Sequence, residues 1–189
     1  MTLKQYLAGA SMAAMVALTA CADKGDDNAT KPETEAAKDA AGDQTIAAGL
    51  GDATKFAAAA KQAGLDATLA GPGPYTVLVP TDAAFDKMPA GALDTLMKPE
   101  ARSDLTAVLT YHILPGTILA EDIGKAIDAG KGKAQLPTMA GGTLTAMKDG
   151  SAIVLTDGAG TKARLVAAEE KKSNGVIHRV DSVLMPGKA

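Results

Sequence analysis

At 189 residues, with 47% apolar residues and no Trp, the chain has room for one domain plus accessory segments, with a core filled by Ala, Val, Leu, Ile and Met; two compact domains would be a tight fit. The net charge of -3 is unevenly spread, since residues 22–45 carry seven acids against three lysines, whereas residues 46–189 carry 15 acids and 15 bases. A folded part so balanced lacks the basic excess that neutralises a phosphate backbone, which argues against nucleic acid as a partner.

Lys4 is the only charge before Asp23, and Leu7 to Ala17 form an apolar stretch of small residues. This is the pattern of a signal peptide over residues 1–20, while Gly9, Ser11 and Thr19 dilute the stretch below what a spanning helix needs. Leu18-Thr19-Ala20-Cys21 follows directly and resembles a bacterial lipobox, whose logic is cleavage before the Cys and acylation of its sulfur. Cys21 is the only Cys of the chain, so it has no internal disulfide partner. Each buried methylene adds about 0.8 kcal/mol of membrane affinity, so several acyl chains would hold the protein firmly. Ala22 does not resemble an inner-membrane retention signal, which favours the outer membrane in a host with two membranes. From Ala22 to Gln44 no large apolar residue occurs, and residues 21–44 read as the lipidated Cys followed by a flexible acidic linker.

The folded region is expected over residues 45–187. Thr45 can cap a helix from Ile46, and Phe56 to Ala63 continues helical until Gly64. After Pro72 and Pro74, Tyr75 to Val79 reads as a short buried strand closed by Pro80, and Thr81 or Asp82 caps a helix carrying Ala84 and Phe85. Pro99 begins a longer helix reaching about Tyr111, and Asp122-Ile123 starts another. After about Gln135 the periodicity turns from helical to alternating. Leu144 to Met147 and Ile153 to Leu155 flank Asp149-Gly150 as a hairpin, with further strands over Ala163 to Ala167 and Val176 to Val183. Because Ile177 and Val183 suggest cover on both faces, the last strand belongs near the sheet interior. A helical first half followed by runs of strands predicts an α+β fold.

Three segments, in this order, resemble the fasciclin domain family. They are Tyr75-Thr76-Val77-Leu78-Val79-Pro80-Thr81-Asp82-Ala83-Ala84-Phe85, then Leu109-Thr110-Tyr111-His112-Ile113-Leu114-Pro115-Gly116, then Ser173-Asn174-Gly175-Val176-Ile177-His178-Arg179-Val180-Asp181-Ser182-Val183-Leu184-Met185-Pro186. The resemblance implies a wedge of two β-sheets with helices packed over it, and a role in cell-surface adhesion or extracellular binding to a protein, matrix or polysaccharide partner. It also implies structural roles for Thr81, Asp82, Phe85, Tyr111, His112, Asn174, Gly175, His178 and Asp181. Animal adhesion members carry an Asp-Ile pair before the closing Asn-Gly as part of an integrin-binding segment. Here that stretch reads Ala168-Glu169-Glu170-Lys171-Lys172, so integrin recognition does not carry over.

His112 and His178, the two histidines, sit beside apolar residues and read as buried hydrogen-bonding groups. No His, Cys, Asp or Glu cluster has metal-ligand spacing, and no cofactor is implied. Gly158-Ala159-Gly160-Thr161-Lys162-Ala163 fits a dinucleotide glycine pattern only formally, because a strand and not a helix follows it. With no nucleophile elbow or phosphate loop, the chain reads as a non-enzymatic, exported envelope lipoprotein. An apolar small-ligand carrier, for a carotenoid or lipid, is the alternative, and a hydrolase is a distant third.

Overall fold

The computed structural model describes residues 42–187. The expected signal peptide, the expected lipidation at Cys21 and the expected linker up to residue 41 lie outside the described residues.

A single 3-10 turn, Ala47–Leu50, opens the fold and is followed by α1 (Thr54–Ala63). The expected helix from Ile46 is therefore broken: Ala48 N–H does reach Thr45 Oγ1 at 3.4 Å, but the turn stops at Gly51. Helix α1 buries Phe56, Ala59, Ala60 and Ala63, a spacing of three and four residues that lays one apolar stripe on the core. Gly64 ends it at φ 78°, left-handed backbone that a residue without Cβ adopts at little cost. Helix α2 (Asp66–Ala70) leads through the prolines to β1 (Tyr75–Pro80).

Thr81, not Asp82, caps α3 (Asp82–Asp86), its Oγ1 accepting from Ala84 N–H at 3.2 Å. Helix α4 (Ala92–Leu96) and a 3-10 turn at Pro99–Ala101 precede α5 (Arg102–Tyr111), so Pro99 starts a turn that passes into the helix. Strand β2 (Ile113–Pro115) then leads to α6 (Ala120–Ala129), which buries Ile123 and Ile127. Asp122 does start that helix, Oδ2 accepting from Leu119 N–H at 3.2 Å.

Six strands close the chain: β3 (Ala134–Pro137), β4 (Thr143–Asp149), β5 (Ala152–Thr156), β6 (Lys162–Arg164), β7 (Glu170–Lys172) and β8 (Gly175–Val180). The Asp149-Gly150 hairpin joins β4 to β5, with Gly150 at φ 62°. Gly158 and Gly160 lie in the turn before β6, as an ordinary loop between paired strands.

Two four-stranded sheets result, one ordered β2-β1-β8-β7 and the other β3-β4-β5-β6. The second is antiparallel throughout. In the first, β1 and β8 run parallel from Tyr75↔Gly175 to Pro80↔Val180, an interior pair flanked by antiparallel β2 and β7. All six residues of β8 are buried, as the apolar positions on both its faces predict. The strand stops at Val180, however, and Val183 and Leu184 enter the core from the tail beyond it.

One core cluster packs Phe56, Leu105 and Leu109 of the helices against Val77, Val79 and Ile177. The other fills the space between sheets and α6 with Leu78, Leu114, Ile123, Ile127, Leu144, Leu155 and Leu184. This α+β architecture of two sheets with helices over them is the wedge implied by the sequence resemblance.

Candidate functional site

The three signature segments meet around the interior pair β1 and β8. Gly175 sits at φ 153°, where a Cβ would stand 1.8 Å from the carbonyl oxygen of Tyr75, so only glycine lets the two strands approach. Asn174, just before it, uses its side chain three times. Its Oδ1 accepts from Ile46 N–H at 2.8 Å, and its Nδ2 donates to the carbonyls of Leu69 and Gly71 at 2.9 and 2.8 Å. Two segments distant in sequence, around Ile46 and at Leu69–Gly71, are thereby fixed to the start of β8.

His112 is 1% exposed and both ring nitrogens are engaged. Nδ1 lies 2.8 Å from the Val108 carbonyl and Nε2 accepts from Leu184 N–H at 3.1 Å, which requires the neutral ring with its proton on Nδ1. Burial pushes its pKa down to about 4. The ring also packs edge-on to Phe56, centroids 6.3 Å apart. The neighbouring Tyr111 phenol accepts from Gly158 N–H at 3.3 Å, and burial raises its pKa. The ring of Tyr111 leaves no room for a Cβ at Gly142, 2.5 Å away. His178, wholly buried on β8, has Nε2 2.8 Å from the Ile118 carbonyl, and its Nδ1 has no partner among the described residues.

Phe85 is buried in the first core cluster. Asp82 turns away from its own helix to cap α1, accepting from Thr54 Oγ1 at 2.6 Å and from Lys55 N–H at 3.0 Å. Those bonds, Thr54 first, hold its carboxyl below the usual range. Because Ala at a capping position costs about 1 kcal/mol, Asp82→Ala should lower the urea midpoint by that much stability at pH 7, and less as the medium nears the carboxyl's own pKa. Asp181 is part-buried; burial raises its pKa, but the N–H of Arg164 at 2.8 Å and the nearby Lys87 outweigh this and hold it low.

Sequence reasoning missed two buried charged residues. Asp157, 6% exposed, accepts from Ala159 and Thr161 N–H through Oδ1 and from Met185 N–H through Oδ2, pinning the β5–β6 turn to the carboxy-terminal tail. Arg179, 5% exposed, binds Glu170 at 2.9 Å, Asp52 at 2.5 Å and the Gly49 carbonyl at 3.1 Å. Its only sequence signal is a charge inside an apolar strand. The Glu169-Glu170 pair is likewise used internally: Glu169 accepts from Ala120 N–H at 2.6 Å at the start of α6, and Glu170 binds Arg179 and Lys172.

At the amino-terminal end of β1 and β8 lies an open groove of about 640 Å³. Pro72 to Pro74, Thr117 and Leu119 form one side, and Lys171 to Val176 the other. Its walls meet backbone to backbone, for a Cβ at Gly73 would stand 1.9 Å from the Asn174 carbonyl oxygen. The lining residues include two lysines and no acid beside apolar walls of Pro72, Pro74, Leu119 and Val176. Among the described residues no group of three or more His, Cys, Asp or Glu could hold a metal ion, and no helix is long and apolar enough to cross a membrane.

A family model described as fasciclin domain matches residues 51–186. Protein sll1483 of Synechocystis sp. is 37% identical over 142 residues, which is 75% of this chain and 71% of that protein. Cell surface glycolipoprotein MPB83 of Mycobacterium bovis is 34% identical over 114 residues, 60% of this chain but only 44% of that one. The solved FAS1 domain pair of the insect cell adhesion molecule fasciclin I shares the fold, with a TM-score of 0.56 at 21% identity, over 71% of this chain and 45% of that chain.

Proposed function

The chain belongs to the fasciclin domain family, and from that premise we propose that it is an envelope-anchored lipoprotein whose fasciclin domain attaches cells to an extracellular protein, matrix or polysaccharide partner. The observation that carries this reading is the open groove beside Asn174, which sets two lysines among apolar walls where the Gly73 and Asn174 backbones pack together. The names of the relatives support the compartment, one being a cell surface glycolipoprotein and another a cell adhesion molecule. The engagement of His112 on both nitrogens, away from solvent, supports a binding role over a catalytic one.

Two measurements test the proposal. With a fatty-acid probe fed to the producing bacterium, the wild-type chain should take up label and sediment with membranes, and Cys21→Ser should do neither. Filling the groove with Thr117→Arg and Ser173→Arg, both exposed positions, should cut attachment of cells at least tenfold while the circular dichroism spectrum is kept. Unchanged attachment by that variant would remove the groove from the proposal. The apolar walls favour one second reading, an apolar small ligand such as a carotenoid or lipid; colour or extractable lipid in the natively purified protein would establish it.

A further inference from the structure

Residues 42–52 precede α1 and are docked on β7 and β8 by contacts that follow one another along both segments. A Cβ at Gly42 would stand 2.2 Å from the Lys171 carbonyl oxygen, so the two backbones touch there. The Gln44 carbonyl accepts from Ser173 N–H at 2.9 Å, Ile46 N–H donates to Asn174 Oδ1 at 2.8 Å, and the Gly49 carbonyl accepts from Arg179 at 3.1 Å. Ile46 and Leu50, at 0% and 4% exposed, add apolar anchors in the first core cluster. The connection to α1 is more open: Gly51 and Asp52 are exposed, a Cβ at Gly51 would meet nothing within 4 Å, and its ties are the Asp52 carboxylate to Arg179 at 2.5 Å and the Ala53 N–H to the Leu50 carbonyl at 2.9 Å. The family match begins at residue 51, so the docked stretch stands ahead of it.

We propose that residues 42–50 form a strap that peels from the sheet as a unit, hinged at Gly51-Asp52, when the chain is pulled from its amino-terminal side, while β1 and β8 stay paired. Contacts arranged in series are loaded one at a time from the Gly42 end, whereas the six-residue register of β1 on β8 is broken only by separating the sheet interior. Peeling bares the Ser173 N–H and the Lys171 carbonyl on the outer edge of β7, and an uncovered strand edge is a template for another extended chain. That the pull arises at a membrane rests on the lipid anchor proposed above; the strap itself does not.

The test uses the full chain with Cys21→Ser, held in a force instrument by handles at residue 41, which spares the Gly42 contact, and at residue 187. The expected trace has a small first extension of at most roughly 3 nm, the full reach of about nine released residues less the span they already cover when docked, before the main rupture. Ile46→Ala should lower the force of the first event and leave the main one unchanged, because the strap is already off when the sheet breaks. In hydrogen exchange of the same unpulled chain, the amides of Ile46, Gly49 and Ser173 should exchange together, at least about tenfold faster than Val77 and Ile177. One rupture without a first step, or Ser173 exchanging at the rate of Val77, would overturn the strap. Absence of fatty-acid label on Cys21 would instead overturn only the membrane as the source of the pull.

Discussion

Asn174→Ala is expected to lower the unfolding free energy of the domain by about 3 kcal/mol, read as a fall in the urea midpoint with an unchanged slope. The magnitude follows from three hydrogen bonds lost at once, each worth about 1 kcal/mol net. No replacement partner stands by, since Ile46 N–H and the carbonyls of Leu69 and Gly71 converge on that one amide. Asn174→Asp separates the two halves of the role. It keeps an acceptor for Ile46 but turns a carboxylate oxygen toward two carbonyl oxygens, so at neutral pH it should be no better than alanine. A loss below about 1 kcal/mol for both variants would show that water replaces these bonds without cost.

The second large effect is a loss of stability in mild acid that originates at His112. In the folded chain burial holds its pKa at about 4, while in the unfolded chain it returns to about 6.5. Between those values the unfolded state binds the proton that the folded state refuses. The stabilisation is therefore complete above pH 6.5 and drains away as pH falls, reaching about 3 kcal/mol of loss near pH 4. A proton on Nε2 would have to face the Leu184 N–H, which now donates to that nitrogen. The low carboxyl pKa values of Asp82, Glu170 and Asp181 also withdraw stability as pH falls, but they do so from below about pH 4.5, the upper limit of their ordinary range. Urea melts between pH 7 and 4.5, paired with the ring nitrogen shifts of His112, check both the slope and its origin. A flat profile across that interval would refute it.

What could be read in the residues beforehand was what neighbours in sequence determine. Tyr75 to Pro80, the Asp149-Gly150 hairpin and the stop at Gly64 are local signals of β-branched runs, turn chemistry and a left-handed terminator, and they survive in the structure. The three-residue strands β2 and β7 were not legible, because neither has a periodicity of its own; each exists only by pairing to an interior strand. The parallel partnership of β1 with β8 joins residues 100 positions apart, with no local trace of it. The resemblance implies a structural role for Asn174 without saying which, and the role comes from a side chain reaching Leu69, Gly71 and Ile46. Arg179 shows the same limit, since its meaning lies in Gly49 and Asp52, far up the chain.

The parallel centre of the first sheet has a consequence for how the chain is made. Tyr75–Pro80 leaves the ribosome 100 residues ahead of Gly175–Val180 and must wait for it before its longest flank is covered. Until then Val77, Leu78 and Val79 have no finished interior to enter. Completion of the first sheet is thereby postponed until its second interior strand has emerged, a delay set by the sequence separation of the pair.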